Sequence, residues 1–417
     1  MPRTVCIVSP GNLASNPRVL KEANALHAAG YGVTAIVCNY TAALRAFDDA
    51  IAREVPWTAL RVRRPAGEGA LHVASDLVAR AMSGAGIDVP MSIAARAYGG
   101  PTGALRQAAC AVHADLYIAH YVAALPAAMA AAHRHGAMLG FDAEDFHSGE
   151  GTRGPRENFR MDMVRTIEEA CLPACVHVTA AAPLIAEAYA ARYGVSPTTV
   201  LNVFPLDMAP AGPRQSSQPA DTGSLRAYWF SQTIGLDRGL QAFLQAMARA
   251  RTRITLDVRG GNRWGHGESL MALARELGVA DRVSLLPMAA PDQMVKLAAP
   301  YDIGLSLETD VTESRRLCLT NKIFTYLLAG VPTMMSDTPA QRALAPDLGT
   351  AAVVVSLADP DGMAVALDRF AASPAALSEA KATASRLGRQ RYNWDVEKQA
   401  LLDSVATAFA RHGEARA

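Results

Sequence analysis

Ionisable and polar residues in this chain gather in a few short segments, each directly after an apolar run. Phe141-Asp142-Ala143-Glu144-Asp145-Phe146-His147 sets Asp142, Glu144, Asp145 and His147 within six residues. Packing alone does not account for such a density, because charged side chains are rarely buried unless paired. Acceptor recognition, metal binding and general base catalysis all lie within their chemistry, with a solvated loop as the alternative. His120 opens the loop after Ile118-Ala119. A lone histidine is more often structural, but a place at the end of a strand favours function.

A second group is cationic. Glu308 to Lys322 (ETDVTESRRLCLTNK) ends at Thr320-Asn321, which would cap a helix carrying Ile323 to Ala329, and Arg315, Arg316 and Lys322 surround that terminus. One cation about 4 Å from a phosphate oxygen contributes roughly 4 kcal/mol at an effective dielectric of 20. These cations and the helix terminus together would make a diphosphate site; a solvated basic loop is the other reading. Ser231-Gln232-Thr233-Ile234-Gly235-Leu236-Asp237-Arg238-Gly239 joins a strand to a helix and puts Arg238 near that helix's N-terminus, where its charge reinforces the dipole. Gly260 and Gly261, after Val258-Arg259, allow a close backbone approach. In the first loop, Ser9 to Leu13, Gly11 and Asn12 precede Asn16-Pro17-Arg18, a good helix start whose N–H groups face an anion. With Gly11 alone, the G-x-G-x-x-G dinucleotide fingerprint is absent.

The elements that must hold these loops alternate along the chain. Candidate strands are Val5–Ser9, Val33–Cys38, Leu116–Ala119, Met138–Phe141 and Val176–Thr179, then Ala227–Ser231, Ile254–Val258, Val283–Leu286, Ile303–Ser306, Thr333–Ser336 and Ala352–Val355. Between them lie helical stretches such as Pro17–Ala29, Ala180–Arg192, Leu240–Ala250, Ser269–Leu277 and Lys322–Ala329. This alternation predicts α/β architecture, with two doubly wound parallel sheets covered on both faces. Pro205 to Gly223 concentrates Pro, Ser and Gly and reads as the linker between them. The expected organisation is a first domain over 1–205, a linker over 206–223 and a second domain over 224–393. Ligands of open α/β sheets sit at the carboxyl ends of strands, where all the loops above are expected.

Composition narrows the class. At 417 residues, length favours two or three domains, and 50% apolar with 19% charged residues excludes a disordered chain. Forty Lys+Arg against 39 Asp+Glu, a net charge of +1, gives no global electrostatic case for nucleic acid. MPRTVCIVSP lacks the layout of a secretory signal, and the apolar run Leu116 to Ala132, with His120 and Pro126, falls short of a membrane span. Six scattered cysteines read as a reduced, cytoplasmic protein. Cys171, Cys175 and His177 have no second cysteine pair to complete a zinc site, and read as small buried side chains.

Several segments, taken together, resemble retaining GT-B glycosyltransferases of the family-4 type. NPRVLKEANALHAAGYGVTAI is similar to that family's first helix and second strand, and ADLYIAHYVAALPAAMAAAHRHGAMLGFDAEDFH to its strand-end histidine and acidic loop. IGLDRGL, DRVSLLPMAAPDQMVKLAAPYDIGLSL and LTNKIFTYLLAGVPTMMSD look like its donor half, in order. The resemblance implies a GT-B architecture: two Rossmann-like domains facing a central cleft, the first holding the acceptor and completed by a C-terminal helix over about 394–417. The second would bind a nucleotide sugar, UDP- or GDP-linked. It further implies that Arg238 and Lys322 hold the donor diphosphate, with His120 near the sugar and phosphate as the third member of the catalytic group. Gly11, Asn12, Gln232, Thr233, Gly260, Gly261, Arg315, Arg316, Thr320, Asn321 and Thr325 would line the donor site. Asn16, Arg18, Asp142, Glu144, Asp145 and His147 would meet a glycan, lipid-linked or small-molecule acceptor.

Two departures stand out. The family's pair of glutamates, with seven residues between them, is replaced by Leu317 and Thr325, and an arginine upstream of Arg238 by Gln232. In the front-face mechanism that the resemblance implies, the departing phosphate takes the acceptor's proton. No base and no metal is then required, and no cofactor is expected beyond the donor. A glycosyltransferase of surface-polysaccharide or glycoconjugate synthesis is the leading expectation. A sugar-nucleotide epimerase and a catalytically silent subunit are the alternatives. Arg61 to Arg106 mixes arginine with apolar residues. An amphipathic helix there would suit peripheral contact with the inner face of a membrane, and an ordinary solvated face is the other reading.

Overall fold

The computed structural model describes residues 2–38, 41, 44–63, 67–152, 154–211 and 224–414. Its contacts divide the chain into two units. The first holds Met1–Val200, Thr312–Ser314 and Lys398–Ala417, and the second Leu201–Val311 and Arg315–Glu397.

The first unit is built on seven strands: β1 (Thr4–Val8), β2 (Gly32–Cys38), β3 (Thr58–Val62), β4 (Leu116–His120), β5 (Met138–Ala143), β6 (Cys175–Ala180) and β7 (Thr198–Thr199). Their order is β3-β2-β1-β4-β5-β6-β7, with every pairing parallel. The central strands read as unbroken apolar runs because helices cover both faces. β4 and β5 are buried throughout. The expected strands are present here with ends shifted by one or two residues. β3 and β7 escape the sequence pattern because both are edge strands: β3 has no fully buried residue and β7 has two residues.

The second unit carries β8 (Ser224–Thr233), β9 (Arg253–Gly261), β10 (Val283–Leu286), β11 (Ile303–Ser306), β12 (Thr333–Ser336) and β13 (Ala352–Val355). The order β10-β9-β8-β11-β12-β13 is again wholly parallel, so each unit is a doubly wound Rossmann-like sheet. Of the expected linker, residues 212–223 lie outside the described residues. The part before them is anchored in this unit. Phe204, Leu206, Met208 and Ala209 pack against the cluster of Tyr228, Phe230 and Tyr326, and Trp394 donates its backbone N–H to the Phe204 carbonyl at 2.8 Å.

The last helix runs Trp394–Glu414. Its first turn belongs to the second unit and Lys398 onward to the first. Within the arginine-bearing segment, the helix Glu68–Gly84 is largely exposed, with Leu71, Val73, Leu77 and Val78 on its surface. Residues 64–66 of that segment lie outside the described residues. No described helix is long and apolar enough to cross a membrane.

Candidate functional site

At the carboxyl end of the first sheet, parallel register sets His120, the last residue of β4, beside Asp142 on β5. The helix Pro17–Ala28 starts where Asn16 Oδ1 accepts the Val19 N–H, with Pro17 next in the first turn. That helix delivers Arg18 and, one turn on, Glu22 to the same place. Arg18 holds both oxygens of Asp142 at 2.6 and 2.7 Å and gives its third bond to the Val200 carbonyl. His120 Nε2 lies 2.6 Å from Glu22 Oε2, and Nδ1 lies 3.2 Å from Asp142 Oδ2. All four side chains are buried.

The cluster balances its own charge. Burial acts against ionised Asp142, but Arg18 and then His120 outweigh it and hold the carboxylate far below its ordinary range. Burial likewise opposes the His120 imidazolium, but Glu22 and Asp142 outweigh that and raise its pKa. The ligand atoms of Glu22, His120 and Asp142 all lie within 4.8 Å of one another, a spacing that could enclose a cation. Arg18 and the His120 imidazolium already match both carboxylates, so a metal would have to displace one of them. Cys171 and Cys175 are free thiols, Cys175 Sγ facing the Cys171 carbonyl at 3.6 Å, while His177 Nδ1 meets Ser404 Oγ at 2.9 Å.

The residue after His120 is under backbone strain. Tyr121 has φ 62° and ψ 151°, a region that favours glycine and costs a side-chain-bearing residue about 1–3 kcal/mol. The strained turn sends the Tyr121 hydroxyl to Glu144 Oε2, 2.8 Å away. It also turns Tyr121 into a cavity of about 450 Å³ whose walls include Gly11, Asn16, Tyr98, Tyr121 and Arg160. Arg160 stacks 5.0 Å over the Tyr98 ring. Gly11 leaves open space where a side chain would stand. Asn12 is buried and donates to Asp48 at 2.6 Å.

The acidic loop separates into different environments. Asp142 belongs to the buried cluster and Glu144 to Tyr121. Burial, reinforced by Glu144, raises Asp145 to about 6. His147 is buried with Nδ1 2.8 Å from Glu150. Burial opposes its charge, but the bond to Glu150 prevails and lifts its pKa to about 9.

In the second unit, the side chain of Glu308, just past β11, reaches two cations. Its Oε1 lies 2.8 Å from Lys322 Nζ and its Oε2 2.9 Å from Arg238 Nη1. Burial works to raise this carboxyl, yet Lys322 and Arg238 bring it down to about 2. Lys322 stands in the first turn of the helix Asn321–Ala329. Thr320 is that helix's N-cap residue, but its hydroxyl turns to Ser306 at 3.0 Å instead of capping, contrary to the cap expected from sequence. Of the first-turn N–H groups, that of Ile323 goes to the Thr320 carbonyl at 3.2 Å, and none is capped by the Thr320 side chain.

The other donor-side residues are placed differently. Arg315 grips Asp237, donating to its carbonyl at 2.9 Å and pairing with its carboxylate at 2.5 Å. Arg316 and Gln232 are exposed. Thr325 is fully buried and donates its hydroxyl to the Asn321 carbonyl at 2.9 Å. Thr233 pairs with Gly261 in register. A side chain at Gly260 would come within 2.9 Å of the Ser231 carbonyl, and one at Gly261 within 3.0 Å of the Gln232 carbonyl, so both glycines admit the neighbouring strand.

Glu22, Tyr98, Tyr121, Arg160 and Glu308 went unmarked as site residues from sequence. Glu22 carried a usable signal: it lies four residues after Arg18 on one helix face. Glu308 stood at the head of the basic segment but gave no sign of facing both cations.

No protein-family model and no curated protein matches the chain. Solved structures do. Sucrose-phosphate synthase from Thermosynechococcus elongatus is similar at a TM-score of 0.72 and 14% identity, over 98% of this chain and 100% of that one. HepE from Anabaena, in complex with UDP and glucose, is similar at a TM-score of 0.71 and 13% identity, over 97% of this chain and 100% of that one. The lipopolysaccharide outer core galactosyltransferase WaaB, in its apo form, gives 0.61 and 12% over 97% and 99%. At these identities the likeness is one of fold: the two Rossmann-like units match GT-B glycosyltransferase structures.

Proposed function

We propose that this protein is a glycosyltransferase that moves a sugar from a nucleoside-diphosphate sugar to an acceptor with retention of anomeric configuration. The observation that carries the reading is the convergence of Arg238 and Lys322 on one anion at the N-terminus of the helix Asn321–Ala329. Two cations at the positive end of a helix dipole suit a diphosphate that gains charge as the glycosidic C–O bond breaks. The departing phosphate would take the acceptor's proton, so the reaction needs no metal and no enzyme base. His120, bonded to Glu22 and 3.2 Å from Asp142, fits a charged positioning role better than that of a free base. UDP or GDP is the expected nucleotide; HepE, one of the structural neighbours, was solved with UDP.

The acceptor is assigned to the first unit and the donor to the second. The cavity bounded by Tyr98, Tyr121 and Arg160 suits a sugar-like or glycoconjugate acceptor, through aromatic faces and one cation. Surface-polysaccharide or glycoconjugate biosynthesis, in the cytoplasm or at the inner membrane face, is the setting proposed. A catalytically silent subunit is favoured by one observation: Thr325, at the place of the second of the family's paired glutamates, has its hydroxyl bound within its own helix.

A thermal-shift panel of UDP-, GDP-, CMP-, ADP- and dTDP-sugars tests the reading. A ligand at a hundred times its dissociation constant adds about 2.7 kcal/mol of stability. Stabilisation of the wild type by one donor, lost in Arg238→Ala and Lys322→Ala, is the expected result. No stabilisation by any of them moves the assignment to the silent subunit.

A further inference from the structure

We propose that Glu308 is a resident counter-anion, whose carboxylate holds the place between Arg238 and Lys322 that a nucleoside diphosphate takes on binding. The inference rests on the donor-site reading above.

The geometry is that of a bridging anion. Each carboxylate oxygen serves one cation, Oε1 to Lys322 at 2.8 Å and Oε2 to Arg238 at 2.9 Å. Glu308 is 1% exposed and the Lys322 side chain 7%. An ammonium this far from water needs an anion beside it whether or not a ligand is present. The Arg238 side chain, by contrast, remains 29% exposed, so the site is open from that side.

The carboxylate is also held from behind. The Glu308 N–H donates to Ser336 Oγ at 2.9 Å, and the Ser336 hydroxyl donates back to the Glu308 carbonyl at 2.7 Å. Thr309 and Arg315 donate to the Asp237 carbonyl at 3.0 and 2.9 Å, which ties the turn bearing Arg238 to the same segment. The backbone is thus fixed while the side chain retains rotatable bonds, an arrangement that lets the carboxylate leave its two cations without moving the loop.

Binding is then an exchange of anions. A diphosphate gains two cations only by displacing a carboxylate that already holds them, so its affinity is held down. On release the carboxylate returns and the cations are never left bare. Glu308 acts through Arg238 and Lys322, and is a positioning residue that sets how tightly donor and product are held.

Titration calorimetry at neutral pH on the full chain tests this, with UDP, GDP, CDP, ADP and dTDP, and pyrophosphate as a probe without a base. Glu308→Gln keeps the shape and removes the charge. The expected result is at least tenfold tighter nucleoside-diphosphate binding, a lower Tm without ligand, and a kcat that falls with product release while the donor KM also falls. Glu308→Asp keeps the charge but draws it back by one methylene, so it should bind several-fold more tightly and guards against a glutamine variant that does not fold. Unchanged or weaker binding in the folded variants overturns the inference while leaving the donor site standing. A wild type that binds none of these probes overturns the donor-site reading, and this inference with it.

Discussion

Arg18 and Asp142, 124 residues apart in sequence, meet through two bonds of 2.6 and 2.7 Å in a setting from which water is almost excluded. The pair ties the first helix to the end of β5 and sets the orientation of His120 between them. Removing one partner strands the other as a buried charge, at a cost of about 3–5 kcal/mol. Asp142→Asn should therefore lower urea-unfolding stability by that order. A loss below about 1 kcal/mol, the range of exposed pairs, would mean that the pair is solvated in solution.

The strain at Tyr121 can be isolated by comparing two truncations. Both Tyr121→Ala and Tyr121→Gly delete the ring and its bond to Glu144, but only glycine tolerates the φ of 62°. The glycine variant should unfold at higher denaturant than the alanine variant, despite glycine's greater flexibility in the unfolded chain. Equal midpoints would show that the turn relaxes when the side chain is lost.

Tyr121→Phe addresses the cavity rather than the strain. It keeps the ring and removes the 2.8 Å bond to Glu144. With an acceptor in hand, its KM for acceptor should rise several-fold while the donor KM stays put. A change confined to the donor KM would take Tyr121 out of the acceptor role.

Stability should fall at both ends of the pH range. The His147 pKa is raised from 6.5 to about 9, so its contribution is complete below 6.5 and disappears as pH climbs through 9. The Glu308 pKa is lowered from 4.5 to about 2, so its contribution is complete above 4.5 and disappears as pH falls toward 2. His147→Gln should flatten the alkaline limb of a Tm-against-pH curve and leave the acid limb intact. An unchanged alkaline limb would remove His147 as its cause.

The alternation of strands and helices was legible because apolar periodicity is local: each run in β1, β4, β5, β11 and β12 declares its own burial. The strand-end positions of His120 and Asp142, and the place of Arg238 just before a helix, followed from the same pattern. β3 stayed hidden because an exposed edge strand has no buried stripe to announce it. Gly260 and Gly261 carried a real signal of close approach, but what approaches is the neighbouring strand.

Which charges neutralise which was decided only by the tertiary structure. Glu22 and His120 lie 98 residues apart, and Glu308 and Arg238 lie 70 apart, yet each pair is in contact. Coulomb energy depends on distance through space and on the exclusion of water, both set by sheet register and helix packing. From sequence, Glu308 was one acid at the head of a basic segment and Arg18 one more cation near a helix start. Folding made the first the anion between two cations, and bound the second to Asp142.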